Sequence, residues 1–310
     1  MAFDSLRAFV VQDPVNAVTN VVDGVLVLDK PQGLTSHDVV AVARRALGER
    51  RIGHTGTLDP LATGVLPLAC GRATRLVRFL TASDKDYDAT IRFGLTTDSY
   101  DVTGTETSRS GRLPERDAVE RALATLSGSY LQTPPAFSAK KVAGRRSYDM
   151  ARENQAVELT PVPVTVTRAE LESLSHDTAR VRVTCSAGFY VRTFAHALGE
   201  LVGTGACLEA LRRTRSGDFT LGQAINLEQL STGGQATAAV ASLDTLLPAF
   251  PAITVTAEGR NRVSHGQEVE GALELPSAAW VRLMDGQGHL VAMATAGSRP
   301  GFLHPTVVLI

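Results

Sequence analysis

Asp59 and His54 are the acid-base side chains of the stretch RIGHTGTLDPLATGVLPLACGRATR, which runs from Arg51 to Arg75. Around them stand Gly53, Gly56 and Gly64, which permit close backbone approach, and Thr55, Thr57 and Thr63, which can hydrogen-bond a carboxylate or a phosphate. Arg44, Arg45, Arg50, Arg51, Arg72 and Arg75 flank the block. An acid amid positive charge stays ionised and can serve as a nucleophile or base. Three other readings compete. A phosphate loop needs G-x-x-x-x-G-K-[ST], and neither Gly53 nor Gly56 stands in that relation to a Gly-Lys pair. A glycosidase needs a second carboxylate facing Asp59, and the neighbouring sequence nominates none. The plainest alternative is that Asp59-Pro60 only makes a turn.

Composition bounds the partners. The chain has 310 residues, 44% hydrophobic and 20% charged, enough for a large globular domain plus a small one. No apolar run is long enough to span a bilayer. Cys70, Cys185 and Cys207 are far apart and form no C-x-x-C pair, so they read as small buried hydrophobes of a cytoplasmic protein rather than zinc ligands or disulfides. The net charge of −1 conceals local basic clusters. Residues 40–80 balance to +5, residues 136–152 to +4 and residues 207–217 to +2. Such patches on a near-neutral chain suit a polyanion that must be held and released, although each alone could be a solvated face.

The elements that must position Asp59 can be read from pattern. Val25 to Leu28 form a short apolar run, and Lys30-Pro31-Gln32-Gly33 a turn. Thr35 with Asp38 makes a capping-box start to a helix whose stripe is Val39, Ala43 and Ala46/Leu47. In DYDATIRFGL, Tyr87, Ala89, Ile91 and Phe93 alternate with polar residues, as in a half-buried strand. ERDAVERALATLSG reads as a helix ending at Gly128. VPVTVTRAEL and ARVRVTCSAGFYVRTF read as strands, the second turning helical in RTFAHALGELV. Residues 134–154 form a basic excursion flanked by prolines, and residues 230–250 look like a linker. WVRLMDGQGHLVAMAT is a hairpin signal and PTVVLI a last strand. The order predicts an α+β fold: a mixed, largely antiparallel sheet flanked by helices, with a small β-rich module over residues 250–310. The first twenty-two residues read as an N-terminal extension rather than a signal peptide.

KPQGLTSHDVV, GHTGTLDPLATGVLPLACGRATR, DYDATIRFG, QTPPAFSAKKVAGRRSYDMAR, CSAGFYVRTFAHALGE and LRRTRSGDF occur in the order seen in bacterial tRNA pseudouridine-55 synthases, so the chain resembles the TruB family over residues 23–222. Its tail is similar to the PUA-type RNA-binding domain that follows the catalytic domain there. The resemblance implies the pseudouridine synthase fold over 23–245 and an isomerase acting on the T-arm of tRNA. Such an enzyme flips out one uridine, breaks its glycosidic bond and rejoins C5 to C1′ with no cofactor and no metal.

It further implies that Asp59 is the catalytic aspartate, a nucleophile or base, and Arg192 its ion-pair partner, able to orient the carboxylate through two parallel hydrogen bonds. Tyr87 would stack on the flipped base and is a candidate to take the C5 proton. Tyr190 and Leu211 would line the pocket, and His54 would contact the nucleotide. The stretch 134–154, with Lys140, Lys141, Arg145 and Arg146, matches a thumb-like insertion that closes on the T-arm. Phe137, Phe189, Ala197 and Cys207 depart from the usual pattern of their blocks and leave the Asp, Arg and Tyr set intact. The implied protein is a cytoplasmic monomer. The rivals are a guide-RNA-dependent, dyskerin-like synthase and a non-catalytic tRNA-binding or tRNA-folding protein.

Overall fold

A computed structural model describes residues 22–137, 141–142, 145–146, 159–231, 234–271 and 279–310. Its main feature is a ten-stranded sheet. The strands are β1 (Gly24–Lys30), β2 (Ile52–His54), β3 (Thr63–Cys70), β4 (Lys85–Phe93), β7 (Gly128–Gln132), β10 (Val162–Ser175), β11 (Thr178–Cys185), β12 (Ala206–Ser216), β13 (Phe219–Thr220) and β14 (Val240–Ser242). The short pairs β5 (Leu95–Thr97) with β6 (Glu106–Arg109), and β8 (Lys141–Val142) with β9 (Arg145–Arg146), stand outside it. The order is β14-β1-β3-β12-β4-β11-β10-β7, with β2 on β3 and β13 on β12. All its pairings are antiparallel except β12 with β3, where Arg212 and Arg213 face Thr63 and Gly64. The α+β expectation holds.

Burial explains the strand patterns. Leu26 and Leu28 of β1 enter one hydrophobic core while Val25 and Val27 enter another, so this continuous apolar run is buried on both faces. β4 alternates, with Lys85, Tyr87, Ala89, Ile91 and Phe93 buried. Its other face carries ion pairs: Asp86 with Arg215 at 2.7 Å, and Asp88 with Arg182 at 3.4 Å.

The first face is covered by helices that include α1 (Ser36–Leu47), α3 (Arg116–Thr125) and α4 (Val191–Val202). The Thr35–Asp38 capping box starts α1, and Val39 and Ala43 are buried beneath it. α3 ends three residues earlier than its pattern suggested, at Thr125 with Leu126 as its cap, before Gly128 enters β7. A short helix α2 (Val77–Thr81) lies between β3 and β4.

Two expectations from composition fail. Residues 230–250 are no linker: helices α5 (Leu227–Ser231) and α6 (Gly234–Ala238) lead into β14, which pairs with β1, and Leu243, Leu246 and Leu247 are buried. Low charge and small residues suggested flexibility, whereas here they permit close packing. A Cβ on Gly24 would lie 2.1 Å from the Ala241 carbonyl oxygen. The strand drawn through CSAGFYVRTF also stops early. β11 ends at Cys185, a turn follows, and α4 begins at Val191, placing Arg192 in the first helical turn.

The C-terminal region forms its own sheet in the order β15-β17-β18-β19-β16: β15 (Ala252–Thr254), β16 (Val269–Glu270), β17 (Val281–Met284), β18 (Leu290–Ala296) and β19 (Phe302–Val308). The hairpin β17–β18 and the last strand are where their alternation placed them. Helix α7 (Ala257–Ser264) packs on this sheet. The sheet is separate, as expected, and it packs on the larger one. Leu290, Met293 and Leu309 share a core with Val25, Val27 and Leu243.

Candidate active site

Asp59 sits on the loop between β2 and β3, at a tight turn. The Ala62 amide donates to the Asp59 carbonyl at 3.0 Å, with Pro60 second in the turn. The turn is pinned from the α1 side. Ser36 Oγ accepts from the Leu58 amide at 2.8 Å and donates to the Leu58 carbonyl at 3.0 Å, while the Gly33 amide donates to the Pro60 carbonyl at 2.8 Å. The turn expected at Asp59-Pro60 is therefore present. The turn holds the backbone and leaves the carboxylate 43% exposed.

Arg192 reaches this carboxylate from the start of α4. Its Nε lies 2.9 Å from Asp59 Oδ2. The two-pronged contact expected from the sequence is absent. Instead Nη1 donates to the Ser99 carbonyl at 3.0 Å and Nη2 to the Phe137 carbonyl at 2.8 Å. A second acid, Asp101, approaches Nε at 3.7 Å. Asp101 in turn accepts from Ser99 Oγ at 3.1 Å and from the Thr103 amide at 2.9 Å. The guanidinium, 7% exposed, is thus braced on three sides, and Asp59 meets it at one atom. The Phe137 contact uses a main-chain oxygen, so a phenylalanine there costs this bond nothing.

A cavity of about 240 Å³ opens beside the pair. Asp59, Tyr87, Tyr190, Arg192 and Leu211 all line it. Tyr190 caps α4 from the N-terminal side, and Gln132 of β7 grips its backbone: Oε1 accepts from the Tyr190 amide at 2.8 Å and Nε2 donates to its carbonyl at 3.1 Å. Tyr87 is buried, and burial raises its phenol above the usual tyrosine value, with Arg213 opposing. Phe189 also lines the cavity and packs on Phe194 at 5.7 Å.

His54 does not line this cavity. It ends β2 and meets His37 edge-on at 5.4 Å, with a buried Nδ1 that has no hydrogen-bond partner among the described residues. Burial, helped by His37 and Arg213, lowers its pKa to about 4. Lys140 lies outside the described residues. Lys141, Arg145 and Arg146 are described only as backbone of β8 and β9, which pair Lys141 with Arg146; their side chains lie outside the description.

Three buried cations around the site escaped the sequence reading. Arg213 is 1% exposed, donating from Nε to the Val65 carbonyl at 2.7 Å and from Nη2 to the Gly56 carbonyl at 3.1 Å. It ties β12 to the strand and loop that frame Asp59. Lys30 is fully buried, its Nζ donating to the Leu34 carbonyl at 2.7 Å and the Pro31 carbonyl at 2.9 Å. Burial lowers Lys30 to about 8, against the field of Asp59. Lys85 lines the cavity and is lowered to about 8 by burial, with Arg213 adding to the fall. The available signal was Lys85 in phase with Tyr87 on β4. A lysine on an apolar face is normally a register error, and here it is not.

Comparison with known proteins follows the same lines. Residues 44–191 match the model of the TruB family pseudouridylate synthase N-terminal domain, and residues 192–249 that of the tRNA pseudouridylate synthase B C-terminal domain. The chain is 45% identical over 293 residues to the tRNA pseudouridine synthase B of Solibacter usitatus, covering 93% of this chain and all of that one. It is 38% identical over 303 residues to the protein of that name from Bacillus anthracis, covering 93% and 97%. Among solved structures, a Cbf5-Nop10-Gar1 complex aligns at 25% identity with a TM-score of 0.73, over 94% of this chain and 86% of that one. An H/ACA RNP bound to a substrate RNA containing 2′-deoxyuridine shares the fold at 24% identity and a TM-score of 0.72, with the same coverage. Identity of this extent over nearly the whole of both chains places the protein in the TruB family of pseudouridylate synthases.

Proposed function

We propose that this protein isomerises a uridine of tRNA to pseudouridine, and that its target lies in the T-arm. The observation that carries the reading is the Asp59–Arg192 pair at the edge of a cavity lined by Tyr87, Tyr190 and Leu211. A stacked base cannot enter such a cavity, so the target nucleotide is flipped out first. Tyr87 then offers a ring face to the base, with Tyr190 and Leu211 beside it. Arg192 holds the Asp59 carboxylate in place at one oxygen. Asp59 attacks C1′ or C6, or removes a proton at C2′. Detached uracil must be recaptured at C5, so a closed pocket serves by excluding water.

The basic residues Lys140, Lys141, Arg145 and Arg146 fit an insertion that grips the phosphate backbone, and the C-terminal module fits a PUA-like RNA-binding role. His54 fits a contact at the cavity's approach. A stand-alone monomer acting in the cytoplasm is favoured over a guide-RNA-dependent synthase, because relatives at 38–45% identity over 93% of the chain are named for tRNA alone. A purely non-catalytic binder would have no use for a buried arginine braced on Asp59.

The test uses unmodified tRNA and the purified protein, with pseudouridine mapped along the product. The wild type modifies the T-arm uridine without added guide RNA. Asp59→Asn lowers turnover by about 10⁴-fold or more while tRNA affinity stays within about threefold. Normal turnover by Asp59→Asn would overturn the mechanism, and modification only with a guide RNA would favour the alternative.

A further inference from the structure

Arg192 and His196 are four residues apart on α4, so they stand on one face of the helix, a turn apart. Both reach the turn that follows β5. Arg192 Nη1 donates to the Ser99 carbonyl at 3.0 Å, and its Nε lies 3.7 Å from Asp101 Oδ2. His196 meets the residue between them. Its ring lies flat on that of Tyr100, with centroids 4.1 Å apart and planes 7° from parallel. Buried His196 Nδ1 has no hydrogen-bond partner among the described residues, so that side of the imidazole contributes ring surface. Neither Tyr100 nor His196 lines the cavity beside Asp59. Two side chains of one helix face thus hold three consecutive residues of the turn.

Tyr100 is an unusual residue for its backbone conformation. Its φ is 63°, in the left-handed region that glycine, asparagine and aspartate enter more easily. A tyrosine stays there only when its surroundings hold it. From β12, the Leu208 amide donates to the Tyr100 carbonyl at 2.9 Å, and the Leu208 carbonyl accepts from the Val102 amide at 2.9 Å. Within the turn, the Tyr100 amide donates to the Thr97 carbonyl at 3.3 Å, and Thr97 Oγ1 donates to the Asp101 carbonyl at 2.7 Å. Those bonds tie the turn to β12, whereas the ties to α4 all involve a side chain. The bend lets the Tyr100 ring lie on α4 while the residues on either side of it face the guanidinium.

We propose that Tyr100 and His196 are positioning residues, whose stack holds the Ser99–Asp101 turn against α4 and so sets the reach of the Arg192 guanidinium to Asp59. The proposal rests on the pseudouridine-forming reading above. Asp59 meets the guanidinium at one atom, at 2.9 Å, so nothing at the carboxylate corrects an error in the arginine. The turn supplies the acceptor for Nη1, and a shift of the turn therefore moves the partner of Asp59. A misplacement of about 1 Å at such a contact costs up to about a hundredfold in rate. The stack needs two flat rings. The tyrosine hydroxyl and the charge of the histidine have no part in it.

The experiment measures single-turnover pseudouridine formation and tRNA affinity for purified variants. Tyr100→Asn removes one ring and keeps a side chain at ease in the left-handed region. His196→Ala removes the other and keeps a good helix former. Each slows the single-turnover rate on the order of tenfold with tRNA affinity within about threefold, and the double variant is no slower than either. Tyr100→Phe and His196→Phe keep the stack and the rate. In an Arg192→Lys background, Tyr100→Asn slows the reaction no further, because the ring acts through the arginine. A stack that only stabilises the fold predicts a lowered melting temperature with an unchanged rate, or a full loss again in the Arg192→Lys background. Either result overturns the proposal. If Tyr100→Asn does not fold, His196→Ala and His196→Phe carry the same comparison from the helix side. Wild-type protein that forms no pseudouridine would overturn the functional reading itself. The clamp is then read without activity, from the NMR signal of Arg192 Nε–H. That signal moves in His196→Ala and stays in His196→Phe, and an unmoved signal in His196→Ala overturns the clamp alone.

Discussion

At the scale of single residues, the site is a set of charges whose burial differs. Asp59 is half exposed, Arg192 nearly buried, and Lys30, Lys85 and Arg213 are interior cations. Asp59 could be singled out from its neighbours in sequence, because glycines, threonines and arginines crowd around it. Asp101 could not, since SYDVTG reads as an ordinary turn. His54 gives a pH test. Its folded-state pKa of about 4 lies below the usual histidine value, so the folded protein holds it neutral where the unfolded chain already binds a proton. Its contribution is fully present above about pH 6.5 and is lost as pH falls toward 4. Thermal melts across this range show a steeper acid loss for wild type than for His54→Gln. Parallel curves would remove His54 from the acid response.

At the scale of elements, the parallel contact of β3 with β12 organises the site. It joins Gly64, a few residues after Asp59, to Arg213, so the Asp59 loop leaves the sheet against a fully buried arginine. Gly64 makes this possible. Its φ is 101°, and a Cβ there would lie 2.2 Å from the Arg213 carbonyl oxygen. Gly64→Ala combines backbone strain with a backbone clash and costs on the order of 3 kcal/mol. Gly53→Ala, in β2, meets no atom within 4 Å and costs under about 1 kcal/mol. Denaturant titration of both variants measures the contrast, and equal losses would show that the β3–β12 approach tolerates a side chain. The alternation of β4 and the capping box of α1 were visible in the sequence because their partners are local. The end of β11 and the start of α4 were not, because Tyr190 is held by Gln132 from another strand.

At the scale of the molecule, the catalytic sheet and the C-terminal sheet are locked together by arginines of the GRATR stretch. Arg72 donates to Asp23 Oδ2 at 2.7 Å and to the Leu309 carbonyl at 2.6 Å, and Arg75 donates to the Val308 carbonyl at 2.5 Å. Beside them Arg78 lies over the Trp280 ring at 4.2 Å, and Phe79 meets Trp280 edge-on at 4.9 Å. Arg72→Ala removes one link and leaves Asp23 short of a partner, at a cost on the order of 1–3 kcal/mol. The expected result is one lowered melting transition, with faster hydrogen exchange at both Asp23 and Leu309. Faster exchange at only one of them would mean that the two sheets are not coupled there.

Sequence by itself determined the strands and helices with a clear local period, such as β4, where α1 is capped, and which residue types could carry acid-base chemistry. These follow from hydrogen bonds and burial periodicity within a few residues of one another. Tertiary structure decided the rest. Arg192 stands beside Asp59, Asp101 braces the arginine from behind, and Lys85 lines the cavity from β4. Those contacts join residues from different strands across a crossover-rich sheet, and no local pattern encodes them. The same holds for the apparent linker, whose small residues look flexible in isolation and become an edge strand only because β1 leaves room for them to approach.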